Sequence, residues 1–263
     1  MDPQVFVITT VYNGEQYIDE CVASILNQSF NDFEFIIIDD GSTDGTLERL
    51  EKYTDPRIKI FSQSNIGIYS SANNAVSLAK GSLIAVLDAD DYSFQNRLKE
   101  QVLFMKENPD FVFCGPRFLD LICGKEVPTR IKFVKTDDVI RKIISQFNPF
   151  AHSSIVYRKD SFLKIGGYNE SFKNSGDFDF LVRMLKTGKG CNLDQVLLVR
   201  RIHKKSISWN KETVQLREVL EIKWKTYRLM DDNPLGTLYS LLKNLISFFI
   251  SQKIKSKIRL SYS

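Results

Sequence analysis

The chain has 263 residues, 43% of them hydrophobic and 26% charged, which is typical of a globular protein with one large domain and a sizeable core. The formal net charge of +4 is unevenly spread. Residues 1–199 contain 22 Lys/Arg and 27 Asp/Glu, a balance of −5, whereas residues 200–263 contain 14 and 5, a balance of +9. We expect the basic end to contact something anionic and expect no nucleic acid partner.

The N-terminus and the cysteines both indicate an intracellular protein. The first residues, MDPQVFVITT, enter a strand pattern directly, without a charged leader or a long apolar run, so we expect no secretory signal. The four cysteines are scattered without a CxxC pair, which excludes an obvious disulfide or zinc framework and predicts free thiols. We expect a cytoplasmic location, with peripheral association on the cytoplasmic face of the inner membrane as an option.

Strand and helix patterns alternate through about the first ninety residues. Strands are predicted at residues 5–10, 35–38, 58–61 and 83–87, and helices at 15–28, from 44 onward and at 72–79. The joins between them are short. This order predicts a mostly parallel sheet with right-handed crossovers, that is, a Rossmann-like half.

The pattern becomes less regular in the middle of the chain. A helix containing Leu98, Val102 and Met105 ends at Asn108-Pro109. Further strands are predicted at 111–113, 155–157 and 196–202, and further helices around 179–185, at 211–231 and at 235–252. Residues 115–150 indicate the start of a second, mixed region.

The strand predicted at residues 83–87 leads directly into three carboxylates, Asp88, Asp90 and Asp91. Carboxylates at the end of a buried strand repel one another and are costly to desolvate. A divalent cation with oxygen ligands, bound to a phosphate-bearing substrate, would remove that cost, and ligands of open α/β sheets collect at this edge. The alternative is an acidic turn before a helix N-terminus. The three acids alone leave both interpretations open.

The chain resembles the inverting nucleotide-sugar glycosyltransferases of family 2, from Val5 to about Ser208. The resemblance is carried by VYNGEQYIDECVASILNQSFNDFEFIIIDDGSTDGT, NIGIYSSANNAVSLAKGSLIAVLDADD, GGYNESF with SGDFDFLVRML, and RRIHKKSIS. It implies an α/β GT-A fold, with a Rossmann-like nucleotide-binding half and a mixed central sheet, followed by C-terminal helices. The implied domains are a catalytic domain at 1–210 and a helical tail at 211–263. The catalytic domain would divide into a nucleotide-binding half at 1–115 and an acceptor half at 116–210.

The resemblance assigns the nucleotide to residues at the ends of the first two strands. Asp40, the second acid of its pair, would accept a hydrogen bond from the uracil imide, which cytosine lacks. Thr10 stands where the family often has Pro, and Tyr12 offers a ring for stacking on the base. A turn aromatic is an equal alternative for Tyr12, and Asp39 is interpreted as a cap of the following loop.

The resemblance assigns the diphosphate and its metal to the acidic turn. Asp88 would contact the ribose and sugar, and Asp90 would bind Mn²⁺ or Mg²⁺. His203 in RRIH is the second candidate for a metal or phosphate contact. Asp91 is interpreted as a helix cap or a supporting group.

Four further residues receive weaker assignments. Arg201 could contact phosphate or form a surface ion pair, and His152 could line the acceptor side or be structural. Asn73 or Asn74 could touch the sugar.

The catalytic base is assigned by the resemblance to Asp177 in SGDFDFL. Many family members have Glu-Asp where this chain has Gly176-Asp177, so Asp177 is the sole acid at that position. Asp179 is the second candidate, although Arg183 four residues later could hold it in a structural pair.

The predicted tail combines an apolar segment with a basic one. Residues 235–250 are too short to span a bilayer and contain Lys243. The basic residues that follow are Lys253, Lys255, Lys257 and Arg259. This order suits a helix lying on an anionic membrane surface, with packing on the catalytic domain or a partner as the alternative.

These features predict an enzyme that moves a sugar from a UDP-sugar to a saccharide acceptor, expected to be lipid-linked, with inversion, in bacterial surface polysaccharide biosynthesis. One alternative is a sugar-nucleotide nucleotidyltransferase, which usually needs a basic Gly-rich loop that TTVYNGEQY lacks. The other is an inactive nucleotide-sugar-binding module, which the retained Asp40, Asp88, Asp90 and Asp177 argue against.

Overall fold

The computed structural model describes residues 3–203, 212–230, 238–240 and 242. Within those ranges it contains one mixed sheet of nine strands. They are β1 (Val5–Val11), β2 (Phe33–Asp39), β3 (Ile58–Ser62), β4 (Leu83–Val86), β5 (Tyr92–Ser93), β6 (Phe111–Ile122), β7 (Lys125–Pro128), β8 (Val156–Arg158) and β9 (Lys189–Arg201). Their spatial order is β3-β2-β1-β4-β8-β6-β9-β5, and β7 pairs with β6.

The described helices cover both faces of this sheet. They are α1 (Ile18–Leu26), α2 (Thr46–Leu50), α3 (Ile68–Leu78), α4 (Arg97–Glu107), α5 (Asp137–Ile143), α6 (Lys159–Lys164), α7 (Gly176–Met184) and α8 (Glu212–Met230). A short 3-10 helix spans His152–Ser154. Helix α1 is shorter than the predicted 15–28, because the residues before Ile18 form the turn that leaves β1.

Strands β1 to β4 form the parallel part of the sheet, as the alternation of strand and helix patterns predicts. β1 pairs in parallel with β2 on one side and β4 on the other, so Val7 lies between Phe35 and Ala85. β3 extends the parallel part beyond β2. The carboxyl ends of β1, β2 and β4 therefore lie side by side at one edge, where ligands of such sheets bind.

The parallel strands are apolar on both faces because both faces are covered. Phe6 and Ile8 of β1 pack with the helices α3 and α5–α8, whereas Val5 and Val7 pack with α1, α2 and α4. Alternate residues of one strand thus enter two separate cores, which explains the continuous apolar runs of the sequence.

The second half of the sheet is mixed. β8 runs antiparallel to β4 and β6, while β6 and β9 pair in parallel. β9 begins at Lys189, well before the predicted start at residue 196. The polar residues Asn192, Asp194 and Gln195 break its apolar alternation, and the pairing with β6 shifts register there. This irregularity hides the first part of the strand from a pattern-based prediction.

The C-terminal region is described only in part. Helix α8 agrees with the prediction of a helix at 211–231, and its Ile222 is buried in the core that also contains α7. Of the helix predicted at 235–252, only residues 238–240 and 242 are described, and these are helical. The basic segment 253–259 lies outside the described residues. No described helix has both the length and the apolar character needed to cross a membrane.

Candidate active site

The residues predicted to hold the nucleotide lie together at the edge formed by β1, β2 and β4. Thr10 is the next-to-last residue of β1, Asp40 follows β2, and Asp88 follows β4. The backbone N–H of Asp40 donates to the carbonyl of Val11 at 2.8 Å, which ties the ends of β1 and β2. The structure therefore brings these three predicted residues to one edge.

Tyr12 stands on the loop that leaves β1, with 53% of its surface exposed. The next residue, Asn13, has a positive φ of 55° and accepts the backbone N–H of Thr43 on its Oδ1 at 2.7 Å. Its own N–H donates to Ser42 Oγ at 2.9 Å. The loops after β1 and β2 are thus fixed against each other, and the Tyr12 ring is left on an exposed, anchored turn.

Asp40 is buried and already holds a neighbouring loop. Its Oδ1 accepts from Gln63 Nε2 at 2.9 Å and from the N–H of Ile66 at 3.0 Å, and its Oδ2 accepts from the N–H of Gly67 at 2.9 Å. A carboxylate has about four acceptor positions, so one remains for a further donor. The adjacent Asp39 accepts from Ser42 N–H at 3.3 Å, in line with its interpretation as a loop cap.

The three acids after β4 form a compact cluster. One carboxylate oxygen from each of Asp88, Asp90 and Asp91 lies within 4.8 Å of the others. Burial, together with the charges of Asp90 and Asp177, raises the pKa of Asp88 to about 7. Burial also raises the pKa of Asp91 well above its ordinary value. Without a cation the cluster is therefore electrostatically unfavourable, as expected for residues that bind one.

Asp91 and Arg201 connect this cluster to the end of β9. The backbone N–H of Arg201 donates to Asp91 Oδ1 at 2.8 Å, and its Nε donates to the carbonyl of Asp90 at 2.9 Å. The Arg201 guanidinium also pairs with Glu20 and lies 4.7 Å from the centre of the Tyr17 ring. These contacts support the ion-pair interpretation of Arg201 and the supporting role of Asp91.

His203 follows β9 and reaches the acidic turn. Its Nε2 lies 2.9 Å from Asp90 Oδ2, and its ring centre lies 4.9 Å from that of Tyr17. Carboxylate oxygens and an imidazole nitrogen converge here, a donor set that suits Mn²⁺ and, through its oxygens, Mg²⁺. The residues present therefore fit the predicted metal, and the two predicted ligands, Asp90 and His203, lie next to each other.

Arg97 lies beneath the acidic turn and is absent from the sequence-based predictions. It is fully buried and donates to Ser93 Oγ at 2.9 Å, to Gln101 Oε1 at 3.0 Å and to the carbonyl of Val86 at 2.6 Å. Burial lowers the pKa of Arg97 to about 10, so it remains charged at neutral pH. Its charge lowers the pKa of Asp88 and partly offsets the repulsion among the acids.

Asp177 stands in the first turn of α7, and its negative charge acts on Asp88 of the acidic turn. Burial, together with the charge of Glu218, raises the pKa of Asp177 to about 6, and hydrogen bonding from Tyr69 partly offsets this shift. The preceding residue, Gly176, donates its N–H to Tyr69 Oη at 2.8 Å. A carboxylate with a pKa near 6 is ionised at neutral pH yet still able to accept a proton.

Asp179 has a different environment, two positions along the same helix. Its Oδ2 accepts from Arg183 Nε at 2.7 Å, and the side chain is largely buried. Arg183 also donates to the carbonyls of Ile165 and Gly167 at 2.9 and 2.7 Å. Asp179 therefore belongs to a structural network, as its spacing from Arg183 predicts.

His152 and Asn73, both predicted to lie near the substrate, form hydrogen bonds within the protein. His152 Nε2 lies 2.9 Å from Tyr168 Oη, and burial lowers the pKa of His152 to about 4, so the ring is neutral. Asn73 Nδ2 donates to the carbonyl of Tyr168 at 3.0 Å and to Glu170 Oε1 at 2.8 Å. These contacts occupy both side chains in holding the loop after α6, which supports the structural alternative for His152.

The mixed sheet has the fold of GT-A transferases. At least two solved structures share this fold. TarS of S. aureus, residues 1–349 in complex with UDP, superposes with a TM-score of 0.72 at 21% identity, over 97% of this chain and 77% of that one. A mannosyltransferase of Pyrobaculum calidifontis, bound to GDP-Man and Mn²⁺, superposes with a TM-score of 0.69 at 16% identity, over 100% and 80% of the chains.

Sequence comparison gives the family. The profile of "Glycosyl transferase family 2" matches residues 6–166. The Escherichia coli protein WbnJ, described as an O-antigen biosynthesis glycosyltransferase, is 34% identical over 253 residues, which is 91% of this chain and 96% of that protein. The putative glycosyltransferase EpsE of Bacillus subtilis is 29% identical over 262 residues, or 97% and 92% of the chains. The chain therefore belongs to glycosyl transferase family 2, as its motifs indicate.

Proposed function

We propose that this protein transfers a sugar from a UDP-sugar to a saccharide acceptor with inversion at the anomeric carbon, with the help of Mn²⁺ or Mg²⁺. The observation that carries the proposal is the compact cluster of Asp88, Asp90 and Asp91 at the carboxyl end of β4, with His203 Nε2 2.9 Å from Asp90 Oδ2, in a chain of glycosyl transferase family 2. The charge of Asp177 contributes to the raised pKa of Asp88, which supports a position of the candidate base near the acidic turn.

The proposed reaction needs a base opposite the leaving diphosphate. Asp177 accepts the proton of the acceptor hydroxyl as its oxygen attacks the anomeric carbon. The bond between that carbon and the diphosphate oxygen breaks, and UDP leaves. Asp90 and His203 would hold the ion, which would supply positive charge to neutralise the leaving diphosphate. Asp88 orients the ribose and sugar in this arrangement.

Uridine is proposed from the chemistry of Asp40, Thr10 and Tyr12. The remaining acceptor position of Asp40 suits the imide N–H of uracil, and the exposed Tyr12 ring can stack on the base. Bound UDP in TarS supports this assignment. The mannosyltransferase of P. calidifontis binds GDP-Man, so the fold also accepts another nucleotide. The donor screen therefore includes GDP-sugars.

The acceptor is proposed to be a lipid-linked saccharide of a bacterial surface polysaccharide. The role of the relative WbnJ in O-antigen biosynthesis supports this pathway class. The proposed place of action is the cytoplasmic face of the membrane, reached through residues 235–259. Ser240 accepts from Lys223 and donates to the carbonyl of Gln146 at 2.7 Å, which supports packing of at least this part of the tail on the body.

A donor screen tests the proposed function. UDP release is measured from a panel of UDP-sugars, together with GDP- and CDP-sugars, with and without Mn²⁺ and with a saccharide acceptor mixture. The proposal predicts metal-dependent UDP release from one or a few UDP-sugars. Pyrophosphate-dependent formation of nucleoside triphosphate would favour the nucleotidyltransferase alternative. Binding of UDP without turnover of any donor would favour an inactive binding module.

A further inference from the structure

The loop that leads into Asp177 is held by a carboxylate from helix α8. Glu218 accepts the backbone N–H of Lys173 on Oε1 at 2.7 Å and that of Asn174 on Oε2 at 2.9 Å. Glu218 is buried, with 9% of its surface exposed. One carboxylate therefore satisfies two consecutive backbone donors just before α7, and hydrogen bonds to a charged group are among the stronger ones in proteins.

The same face of α8 makes further contacts with this segment. Ser175 Oγ donates to the carbonyl of Gln215 at 3.4 Å, and the ammonium group of Lys225 lies 5.7 Å from the centre of the Phe172 ring. Ile222, on the same side of the helix, is buried in the core with α7. Gln215, Glu218 and Ile222 follow helical spacing, so α8 presents a continuous surface to the loop.

We infer that Glu218 is a positioning residue for the proposed base: by fixing the backbone of Lys173 and Asn174, it sets where Asp177 stands in the cleft. The inference rests on the role of Asp177 in the proposed function. Tyr69 anchors the other end of the segment by accepting the Gly176 N–H. The base is therefore held from two helices, α3 and α8, and α8 is part of the catalytic unit.

The negative charge of Glu218 has a second effect, which is on the pKa of Asp177. The groups that act on Asp177 are Tyr69 from α3, Glu218 from α8 and Asp88 after β4. The negative charge of Glu218 raises the pKa of Asp177. Removal of that charge shifts the acidic limb of the kcat profile to lower pH, a change that a purely structural role would not produce.

The test compares Glu218→Ala and Glu218→Gln with the matched control Glu221→Ala. Glu221 is an exposed glutamate of the same helix that forms an ion pair with Lys225. Transfer is measured with the donor that the screen identifies. We expect Glu218→Ala to lower kcat by about a hundredfold, since displacing a catalytic group by about 1 Å has that effect, with KM for the donor changed less than about threefold. Glu218→Gln keeps one acceptor oxygen and should fall in between. Glu221→Ala should match the wild type.

Amide hydrogen exchange over residues 170–180 gives a second measurement that needs no donor. The inference predicts faster exchange there in both Glu218 variants and unchanged exchange in Glu221→Ala. It is overturned if kcat of Glu218→Gln and Glu218→Ala stays within about threefold of wild type, or if exchange is unchanged. If Glu218→Ala does not fold, Glu218→Gln decides. A fully active Asp177→Asn would instead refute the proposed base, whatever the Glu218 variants do.

Discussion

Asp177 and Asp179 lie two positions apart on one helix, yet their surroundings assign them different roles. Asp179 pairs with Arg183, whereas Asp177 is a partly exposed carboxylate at the cleft whose pKa burial raises to about 6. Because a raised pKa means that the folded state binds the proton more tightly than the unfolded chain, ionisation of Asp177 destabilises the fold. The stability that the protonated carboxyl of Asp177 contributes is complete below its pKa in the unfolded chain. It is lost as the pH rises through about 6, the pKa in the folded state.

Asp177→Asn should therefore raise the free energy of unfolding above pH 7, by on the order of 2 kcal/mol, and have little effect near pH 4. Asp179→Asn should lower stability at neutral pH instead, because it breaks the pair with Arg183. Urea unfolding of the three proteins at pH 4 and pH 7.5 measures both effects. A loss of stability in Asp177→Asn at pH 7.5 would contradict the burial argument.

The prediction for the metal concerns Asp90, its proposed ligand. UDP with Mn²⁺ should raise the melting temperature more than CDP with Mn²⁺, because a ligand that binds only the folded state stabilises it. Asp90→Asn should abolish the metal-dependent part of the UDP shift, whereas Asp110→Asn, at an exposed site on the surface, should leave it unchanged. Equal shifts for UDP and CDP would remove the uridine assignment.

The sequence indicates the acids of the site but not the residues that hold them. Asp88, Asp90 and Asp177 stand in motifs whose spacing can be read directly. Arg97 and Glu218 act through contacts with backbone groups far away in the sequence, and a charged residue in an amphipathic helix is normally expected to face solvent. Their burial follows from tertiary packing, which no local pattern contains.

At the scale of elements, α4 supports the acidic turn through its first residue. Arg97 donates to the carbonyl of Val86, the last residue of β4, and to Ser93 of β5. The turn that contains Asp88, Asp90 and Asp91 runs between these two strands. One buried guanidinium thus connects both ends of the turn and places positive charge below it.

Arg97→Met should lower the free energy of unfolding by about 3 kcal/mol or more, because it leaves several buried acceptors unpaired. Lys99→Met, an exposed substitution on the same helix, should change stability by less than about 0.5 kcal/mol. Urea denaturation of both variants checks the difference. Equal, small effects would show that the Arg97 network contributes little to the fold.

The tail provides the second prediction at this scale. Deletion of residues 233–263 should leave donor hydrolysis largely intact and weaken binding to vesicles that contain anionic lipid, with salt weakening the binding of the full chain. Loss of the Ser240 contacts should lower stability by about 1 kcal/mol. A truncated protein that binds vesicles as the full chain does would contradict the membrane proposal, and one that fails to fold would favour packing on the body.

At the scale of the whole molecule, the regular half of the fold could be predicted and the irregular half only in part. β1 to β4 are apolar on both faces and alternate with helices, so their order and parallel pairing follow from the sequence. β9 was harder to place, because its early part is polar and its register with β6 shifts. Ile222 packs α8 against α7, and Glu218 binds the loop before α7; neither contact has a local signature in the sequence.

The most direct test of the central claim compares metal-dependent UDP release by the wild type and by Asp177→Asn at pH 7.5, with saturating donor and acceptor. The account predicts that Asp177→Asn binds UDP and Mn²⁺ as the wild type does and transfers sugar at least about a hundredfold more slowly, the lower range for loss of a general base. Transfer at a nearly wild-type rate, where chemistry limits turnover, would contradict the account and make Asp179 the next candidate.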